Sequence, residues 1–509
     1  MEKRLVLAIA LSLLVLLSWS ALAPKSQVVD NKAVVTYEAQ SQISKPQGSS
    51  IVQSPAIVQS FLTPADEVVT FSQDSRDIIF DPARASIIEV VFKNKLEHRL
   101  PLKIGLLSDS KNLFRQEAIT KEQITFVSQD QSKRITKKFI IPKDNQAIDL
   151  EITIQNLSPS SMLIDPQLVL GRLDLSAKNV QSRYQDVFIS GKEKSLHLAA
   201  GKDFGTQDIK FIGLRDQYFC AILEPAGSVA SAYIKKINNQ ESEVGLMMDE
   251  VNLEPGAQIG HLYRIYLGPQ DLKELNSVKA EWAAIIYYGT FDFIAQLLLQ
   301  LLGFFYSLVH NWGWAIIILS LAVYLLLFPL SIKQMRSMKE MQLLQPKIEA
   351  LRKELKDNPQ RLNKEIMELY KEHKVNPLGG CLPLLLQMPI FFALYQALIR
   401  SVALRGARFL WIKDLSSPDS LFTLKNSIPF LGNQINILPI LMAIGMFVQQ
   451  KISTVKATGE AAQQQKIMSI IMPIMFGVIF YQMPSGLVLY WFVNSALMLI
   501  YQVRMNKQK

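Results

Sequence analysis

The sequence predicts a polytopic α-helical membrane protein that carries one large all-β sandwich domain. Of its 509 residues, 49% are hydrophobic and only 19% are charged. The apolar residues form long blocks near both ends of the chain, and a more polar region lies between them. Such blocks are typical of membrane-spanning helices, and the polar region is large enough to fold as a domain.

The basic residues indicate contact with a membrane. The formal net charge is +10, and many Lys and Arg residues flank the apolar blocks. In these positions they set topology and meet anionic headgroups, so we expect membrane lipids as partners and no specific nucleic acid. Cys220 and Cys381 lie far apart in different kinds of segment, which predicts packing residues rather than a disulfide framework.

The N-terminal apolar run at residues 5–22 follows Lys3 and Arg4. This run could be a cleaved signal peptide or a lasting anchor. Residues 21–23 (ALA) resemble a cleavage site and favour the signal peptide. The run is longer than a usual signal core, and Pro24 follows the would-be cut, so we favour a transmembrane anchor over residues 1–23. A flexible linker, rich in Gln, Ser, Val and Pro, is predicted over residues 24–60.

Residues 61–278 predict a single β-sandwich domain. Short runs with alternating or β-branched residues are separated by Asn, Asp, Gly and Pro, and residues 86–92 and 147–154 are clear examples. Runs of this kind are typical of strands in an all-β domain.

The C-terminal half predicts the helical part of the protein. We interpret residues 279–311 as an amphipathic interfacial helix, although the uncharged stretch at 293–309 could also span. Five apolar blocks follow, and with the anchor they make six transmembrane helices. The five form a core over residues 312–506, before a short basic tail at 507–509; the blocks are residues 312–332, 381–399, 435–449, 467–482 and 486–503.

The distribution of positive charge sets the orientation. The loop at 333–374 holds eleven Lys or Arg residues, and further basic residues lie in the loop at 451–466 and in the tail. Cytosolic loops are rich in Lys and Arg, so we expect both termini in the cytosol and the β domain on the far side. Arg400, Arg405 and Arg408 in the opposite loop weaken this signal without reversing it.

The basic loop itself predicts a cytosolic helical hairpin over residues 333–375. Apolar and charged residues alternate at helical spacing, with a break at 357–359. Met335, Met338 and Met341 share one face near its base. Their flexible thioethers suit contact with apolar partners of varied shape, but Met equally often fills gaps in a core, and both interpretations stay open.

Motifs of catalysis are missing from the sequence. It contains no phosphate-binding P-loop, no Gly-x-Ser-x-Gly elbow, no His-Glu-x-x-His pair and no Cys-x-x-Cys. The blocks at 312–332, 381–399 and 435–449 contain no Asp, Glu, Lys or Arg, which argues against a proton or ion relay. We therefore expect a protein that is not an enzyme and that uses no metal and no cofactor.

Uncharged polar residues are the candidate functional residues within the spans. Ser320, Tyr324, Gln387 and Asn494 are the main examples. Single polar residues in membrane helices commonly form interhelical hydrogen bonds. They could equally line a wet groove within the bundle, and composition alone does not decide between the two.

Several motifs together resemble the bacterial insertases of the YidC/Oxa/Alb family. They are residues 311–317 (NWGWAII), 327–330 (LFPL) followed by Lys333 and Gln334, 345–348 (QPKI), 376–383 (NPLGGCLP), 387–391 (QMPIF) and 486–491 (GLVLYW). The resemblance covers the whole layout, including the large domain typical of Gram-negative members, and it is most specific in the membrane half.

This resemblance implies an inner-membrane insertase and chaperone with a periplasmic β domain. Its partners would be nascent membrane proteins, the Sec translocon and the ribosome, the last bound weakly because the tail is short. Five helices would surround a hydrophilic groove open to cytosol and lipid and closed on the far side. A passive channel or transporter, and an envelope scaffold that acts through its β domain, remain the alternatives.

The resemblance also implies roles for individual residues. Gln387 and Asn494 would keep the groove wet, and Ser320 and Trp491 would contact the nascent helix, with Phe391 nearby. The family usually has an Arg five residues before the Pro that ends the first core span, but here that position is Tyr324. A phenol can hydrogen-bond but carries no positive charge. We hypothesise that insertion is retained while selectivity for acidic N-terminal tails is lost.

Overall fold

A computed structural model describes most of the chain from residue 68 to residue 507. The predicted anchor at 1–23 and linker at 24–60 lie outside the described residues. So do several short segments, which are residues 94–95, 109–111, 144–145, 176–183, 199–200, 228–229, 356–357, 374, 376–381, 429–431, 454–459 and 508–509.

The described chain forms two compact units. The β unit holds most of the chain up to Leu267, and the helical unit begins at Gly268. Two short segments, Lys93–His98 and Gln217–Phe219, belong to the helical unit by their contacts.

The β unit contains nineteen described strands. They are β1 Val69–Ser72, β2 Arg76–Asp81, β3 Ser86–Phe92, β4 His98–Gly105, β5 Arg115–Ile119, β6 Gln123–Gln129, β7 Lys133–Ile140, β8 Ala147–Asn156, β9 Met162–Ile164, β10 Gln167–Asp174, β11 Asp186–Gly191, β12 Ser195–Leu198, β13 Phe204–Thr206, β14 Ile209–Arg215, β15 Phe219–Pro225, β16 Ala230–Lys236, β17 Glu241–Met248, β18 Val251–Leu253 and β19 Gln258–Pro269. The two runs singled out in the sequence are strands β3 and β8.

The strands form layered sheets. A nine-stranded sheet has the order β12-β11-β14-β15-β19-β8-β7-β6-β5, and two four-stranded sheets have the orders β1-β2-β3-β4 and β10-β17-β16-β13. Both smaller sheets pack on the large one: the ring of Phe80 lies 5.1 Å from that of Phe139 in β7, and Gly171 of β10 faces Leu214 of β14. Since successive side chains point to opposite faces, β8 alternates buried and half-buried residues from Ile148 to its end at Asn156.

A buried lysine links two of these sheets. Lys137 of β7 is fully buried, and its Nζ donates to the carbonyl oxygens of Ala85, at 2.8 Å, and Leu106. Burial lowers the pKa of Lys137 from 10.5 to about 7, because the charged form loses its hydration. Nothing in the sequence analysis anticipated this cross-link.

The helical unit contains the following described elements. They are α1 Leu272–Val278, a 3-10 helix Ala280–Ile285, α2 Asp292–Val309, α3 Trp312–Glu354, α4 Pro359–Glu372, α5 Leu382–Arg400, a 3-10 turn Val402–Leu404, strands β20 Phe422–Ile428 and β21 Gly432–Ile435, α6 Ile437–Ser453, α7 Glu460–Phe480 and α8 Ser485–Lys507. Among the residues that the structure describes, three segments are long and apolar enough to cross a membrane: Asp292–Val309, Trp312–Ile332 and Ser485–Arg504. Ile437–Ile452 and Ser469–Phe480 are shorter apolar helices.

The prediction of one interfacial helix over residues 279–311 is wrong in detail. This range holds two helical pieces, Ala280–Ile285 and α2, separated by a turn. Gly289 in the turn has a positive φ of 88°, and the Asp292 carboxylate accepts the Tyr288 N–H at 2.8 Å. A left-handed glycine and a side chain that accepts a backbone N–H outside the helix both favour a break at this point.

Helix α3 does not end where its apolar block ends. The sequence places that end at Pro329, but the helix continues through Pro329 and Pro346 to Glu354. A proline removes only one hydrogen bond of the helical ladder and can be accommodated with a bend. The apolar block at 312–332 and the first arm of the predicted hairpin are therefore one helix.

The hairpin itself has its own small core. Leu344, Ile348 and Val375 are buried, and Ile366, Leu369 and Tyr370 of α4 pack against them. Asn358 caps α4 by accepting the Arg361 N–H at 3.1 Å, and Pro359 starts the helix. The predicted break between the two arms is therefore present at Asn358 and Pro359.

Arg405 explains part of the weakened charge signal. It lies between α5 and β20, donates to the carbonyl oxygens of Leu96 and Glu97 at 2.8 and 2.9 Å, and covers the ring of Tyr218 at 5.2 Å. This arginine has a structural task, which accounts for a positive charge in a loop where the charge rule expects few.

Candidate functional site

A hydrogen-bonded pair joins helices α5 and α8. Gln387 Nε2 donates to Tyr490 Oη at 2.8 Å, and Tyr490 is fully buried while Gln387 is half-buried. One turn further along α8, Asn494 Nδ2 donates to the Tyr490 carbonyl oxygen at 2.9 Å. The structure thus brings the predicted residues Gln387 and Asn494 together around a tyrosine that the sequence analysis did not single out.

An aromatic cluster lies beside this pair. The ring of Trp491 in α8 lies 5.5 Å from Phe391 of α5, and 5.8 and 5.2 Å from Phe476 and Phe480 of α7. Phe391 and Phe480 are 5.5 Å apart. Phe391 and Trp491 were predicted, whereas Phe476 and Phe480 were missed, although their spacing of four residues places them on one face of a helix. The four rings form one continuous apolar cluster across three helices, in which Phe391 and Phe480 are buried.

Ser320 and Tyr324 of α3 have different surroundings. Ser320 is fully buried, and its Oγ donates to the Ile316 carbonyl oxygen at 2.7 Å within the same helix. Tyr324 is half-buried, with its ring 5.7 Å from that of Phe328, which in turn meets Tyr501 of α8 edge-on at 5.0 Å. Tyr324 therefore belongs to an aromatic row between α3 and α8.

Of the three methionines at the base of the hairpin, the structure describes the side chain of Met341. Met341 packs against the core formed by Leu344, Ile348 and Val375. This contact matches the gap-filling interpretation for Met341. The side chains of Met335 and Met338 lie outside the described residues.

The described residues offer little to a metal or to nucleophilic chemistry. Within the described part of the chain, no group of three or more His, Cys, Asp or Glu side chains could hold a metal ion. Burial raises the pKa of the Cys220 thiol well above its ordinary value, so this thiol stays protonated and packs as an apolar group. Cys381 lies outside the described residues.

Two family models match nearly all of the chain beyond the first hundred residues. Residues 304–509 match the 60Kd inner membrane protein family, and residues 104–301 match the YidC periplasmic domain.

Relatives of similar sequence are named membrane protein insertase YidC. The membrane protein insertase YidC of Geotalea daltonii is 32% identical over 548 residues, which cover 100% of this chain and 99% of the relative. The protein of that name from Syntrophobacter fumaroxidans is 36% identical over 385 residues, or 74% of this chain and 68% of the relative. A crystal structure of an active YidC insertase covers 86% of this chain and 93% of its own, at 20% identity and a TM-score of 0.42. On the full-length identity to such relatives and on the two family models, the chain belongs to the YidC family of inner-membrane protein insertases.

Proposed function

We propose that this chain inserts nascent membrane proteins through a hydrophilic groove built around Gln387, Tyr490 and Asn494. The observation that carries the proposal is the hydrogen bond from Gln387 to Tyr490 between two helices of the predicted core. The amide of this uncharged pair is half-buried. It can therefore exchange the Tyr490 hydroxyl for water or for the polar tail of a client.

The aromatic cluster supplies the second half of the groove. Phe391, Phe476, Phe480 and Trp491 form an apolar cluster next to the polar pair, and the half-buried rings of Phe476 and Trp491 are its accessible part. A client helix would slide along these rings into lipid while its polar tail stays near Gln387. On α3, Tyr324 would face the client on the other side, whereas Ser320 is fully buried and would reach the client only by leaving its bond to Ile316.

Insertion by this route needs no energy source. A client helix of about 20 apolar residues gains roughly 0.3–0.6 kcal/mol for each strongly apolar residue, or on the order of 6–12 kcal/mol in total. Each charged residue at mid-bilayer costs about 2.5–3.5 kcal/mol, so short tails with few charges cross downhill. The protein therefore acts as a catalyst of transfer that is not an enzyme and that makes or breaks no covalent bond.

The architecture that we propose follows the charge pattern. The anchor at 1–23 and five core spans within 312–506 give six transmembrane helices, with both termini cytosolic. The linker at 24–60 and the domain at 61–278 lie in the periplasm. The Sec translocon is a proposed partner for larger clients, and the ribosome is a weak proposed partner of the basic hairpin at 333–375.

The experiment that tests the groove uses purified protein in liposomes. A short single-span client is added, and insertion is scored by protection from external protease. We expect protection only in liposomes that contain the protein, and a loss of it with Gln387→Ala or Trp491→Ala. Gln396→Ala is the matched control, because it removes a glutamine from the same helix nine residues later.

Two results would count against the groove. Equal protection in empty liposomes would show that the client inserts unaided. A Gln387→Ala protein that inserts the client as well as the Gln396→Ala control would show that the polar pair has no part in transfer.

A further inference from the structure

The segment at residues 401–421, here called the cover segment, is fastened to the first turns of two helices. Phe409 packs so closely on Gly313 of α3 that a Cβ atom at Gly313 would lie 2.0 Å from the Phe409 ring. At the start of α8, Ser485 N–H donates to the Ser417 carbonyl oxygen at 2.8 Å, and Gly486 N–H donates to that of Leu415 at 2.9 Å. The first N–H groups of α8, which have no partner within the helix, are thus bonded by this segment, while the start of α3 is covered by packing.

Asp419 fastens the cover segment to a third helix. Its carboxylate is buried, and Oδ2 accepts the N–H groups of Ile437 and Leu438 at 2.9 Å each, at the start of α6. The same oxygen accepts the Trp411 Nε1–H at 3.2 Å. A carboxylate is well placed there, because the first N–H groups of a helix lack partners within it and the helix dipole favours a negative charge.

Asn436 and Tyr481 extend this arrangement to the end of α7. Asn436 is buried; its Nδ2 donates to the Tyr481 carbonyl oxygen at 2.6 Å, and its Oδ1 accepts the Ser420 N–H at 3.0 Å. Tyr481 Oη donates to the Gln434 carbonyl oxygen at 2.9 Å and accepts the Asn436 N–H at 3.2 Å. We call Asp419, Asn436 and Tyr481 the end lock, because they join α6, α7 and the cover segment.

The end lock lies beyond the aromatic cluster, as seen from the Gln387 pair. Along α5 the order is Gln387, then Phe391, then Arg400, where the helix ends and the cover segment begins; Phe480, the last residue of α7, directly precedes Tyr481. The backbone groups of these helix ends therefore find protein partners rather than water. A groove that holds water around Gln387 would end against the rings and then against this saturated layer.

We propose that the end lock is the seal that stops ions from passing through the bundle while a client is inserted. This inference rests on the proposed groove, which needs a closed end to hold water without conducting. Asp419 is a positioning residue: it holds the cover segment on the start of α6. Removing its carboxylate frees two helix N–H groups, which then recruit water to the end of the bundle.

The test compares ion permeability with insertion in the same proteoliposomes. The full chain is reconstituted with an entrapped pH dye, and the decay of an imposed pH step is followed. We expect Asp419→Ala to speed the decay by about fivefold or more, because unsatisfied N–H groups at a helix end draw water into the bilayer region. Tyr481→Phe, which removes two hydrogen bonds and keeps the ring, should give a smaller increase.

Two further variants separate a seal from a general loss of structure. Asp419→Asn retains an oxygen that can accept the two N–H groups, and we expect it to restore most of the tightness. Asp271→Ala removes a carboxylate that caps α1 in the same way, at the N–H groups of Lys273 and Glu274, and it should leave permeability unchanged. Client insertion should stay within about twofold of the unmodified protein in all four variants, since the polar pair is intact.

The outcomes are distinct. If Asp419→Ala does not yield folded protein, the Tyr481→Phe variant decides the matter. The proposed seal is overturned if folded Asp419→Ala or Tyr481→Phe protein has unchanged ion permeability, even when its thermal stability is reduced. If insertion still depends on Gln387 in that case, the groove stands and only the seal fails.

Discussion

In the β unit, Lys137 is fully buried and donates to two backbone carbonyl oxygens, whereas in the helical unit Gln387 and Tyr490 bond side chain to side chain. The two partners, Ala85 and Leu106, lie in turns directly beside β3 and β4, and their carbonyl groups cannot turn away without moving the backbone there. The Lys137 bonds therefore hold β7 of the large sheet to the ends of two strands of a smaller one. Two side chains can change rotamer at low cost. Polar burial therefore supports rigidity in the β unit, whereas in the helical unit the groove that we propose requires the buried polar groups to exchange partners.

The largest expected effect concerns the pH dependence of the β unit. Burial lowers the pKa of Lys137 to about 7 from its ordinary 10.5, so unfolding takes up a proton throughout the window between these two values. The free energy of unfolding should therefore rise with pH across this window, by about 1.4 kcal/mol per pH unit, and it should lose this gain as the pH falls toward 7.

Lys137→Met should remove this rise. The stability of the β unit in the full chain can be followed by pulse proteolysis in urea at several pH values between 7 and 10. Lys138→Met is the matched control. Lys138 is the next residue in the same strand, but its ammonium is part-exposed and pairs with Glu151 at 3.2 Å. A rise that persists in Lys137→Met protein would show that another group titrates.

The second effect concerns the polar pair of the helical unit. Tyr490→Phe leaves Gln387 without its Tyr490 partner, and we expect insertion to fall about 3- to 10-fold, since one such hydrogen bond in a membrane protein contributes roughly 0.6–1.7 kcal/mol. The rate of client protection in liposomes measures it. The double variant with Gln387→Ala should be no worse than the more impaired single variant, because both changes break one interaction. Losses that simply multiply would mean that the two residues act independently.

The same two regions show what sequence alone could predict. The alternation of apolar residues correctly located strands β3 and β8, and the pair Asn358 and Pro359 correctly located the break in the hairpin. Both signals are local: they depend on residues within one or two turns of one another. The β-rich first part of the described chain and its helical second part followed from such signals.

Contacts between distant segments could not be predicted in this way. Tyr490 was missed because its importance comes from Gln387, which is 103 residues away in the sequence. Lys137 could have been found, since it occupies the inward position between Ile135 and Phe139 in a strand with period two. The end of the helix expected at Pro329 was wrong, because a long helix can continue through a proline with a bend.

A smaller effect should separate charge from hydrogen bonding in the helical unit. Tyr324→Arg adds a positive charge where the aromatic row now lies, and we expect it to raise the preference for acidic over neutral N-terminal tails by roughly threefold, through Coulomb attraction weakened by water and salt. Paired clients that differ only in the tail would measure this ratio. Tyr324→Phe, which adds no charge, should leave the ratio unchanged. If the ratio also stays unchanged in Tyr324→Arg protein, residues other than Tyr324 set the selectivity for acidic tails.

The smallest expected effect is that of Ser320→Ala. The Ser320 hydroxyl is fully buried and already donates to the Ile316 carbonyl oxygen of its own helix. A serine satisfied in this way has little left to offer a client, and its loss leaves that carbonyl in its ordinary helical bond. We expect insertion to change by less than about twofold, well below the effect of Tyr490→Phe. An equal loss in the two variants, measured with the same client, would show that the hydroxyl leaves its helix during transfer, and exchange of partners would then extend to α3.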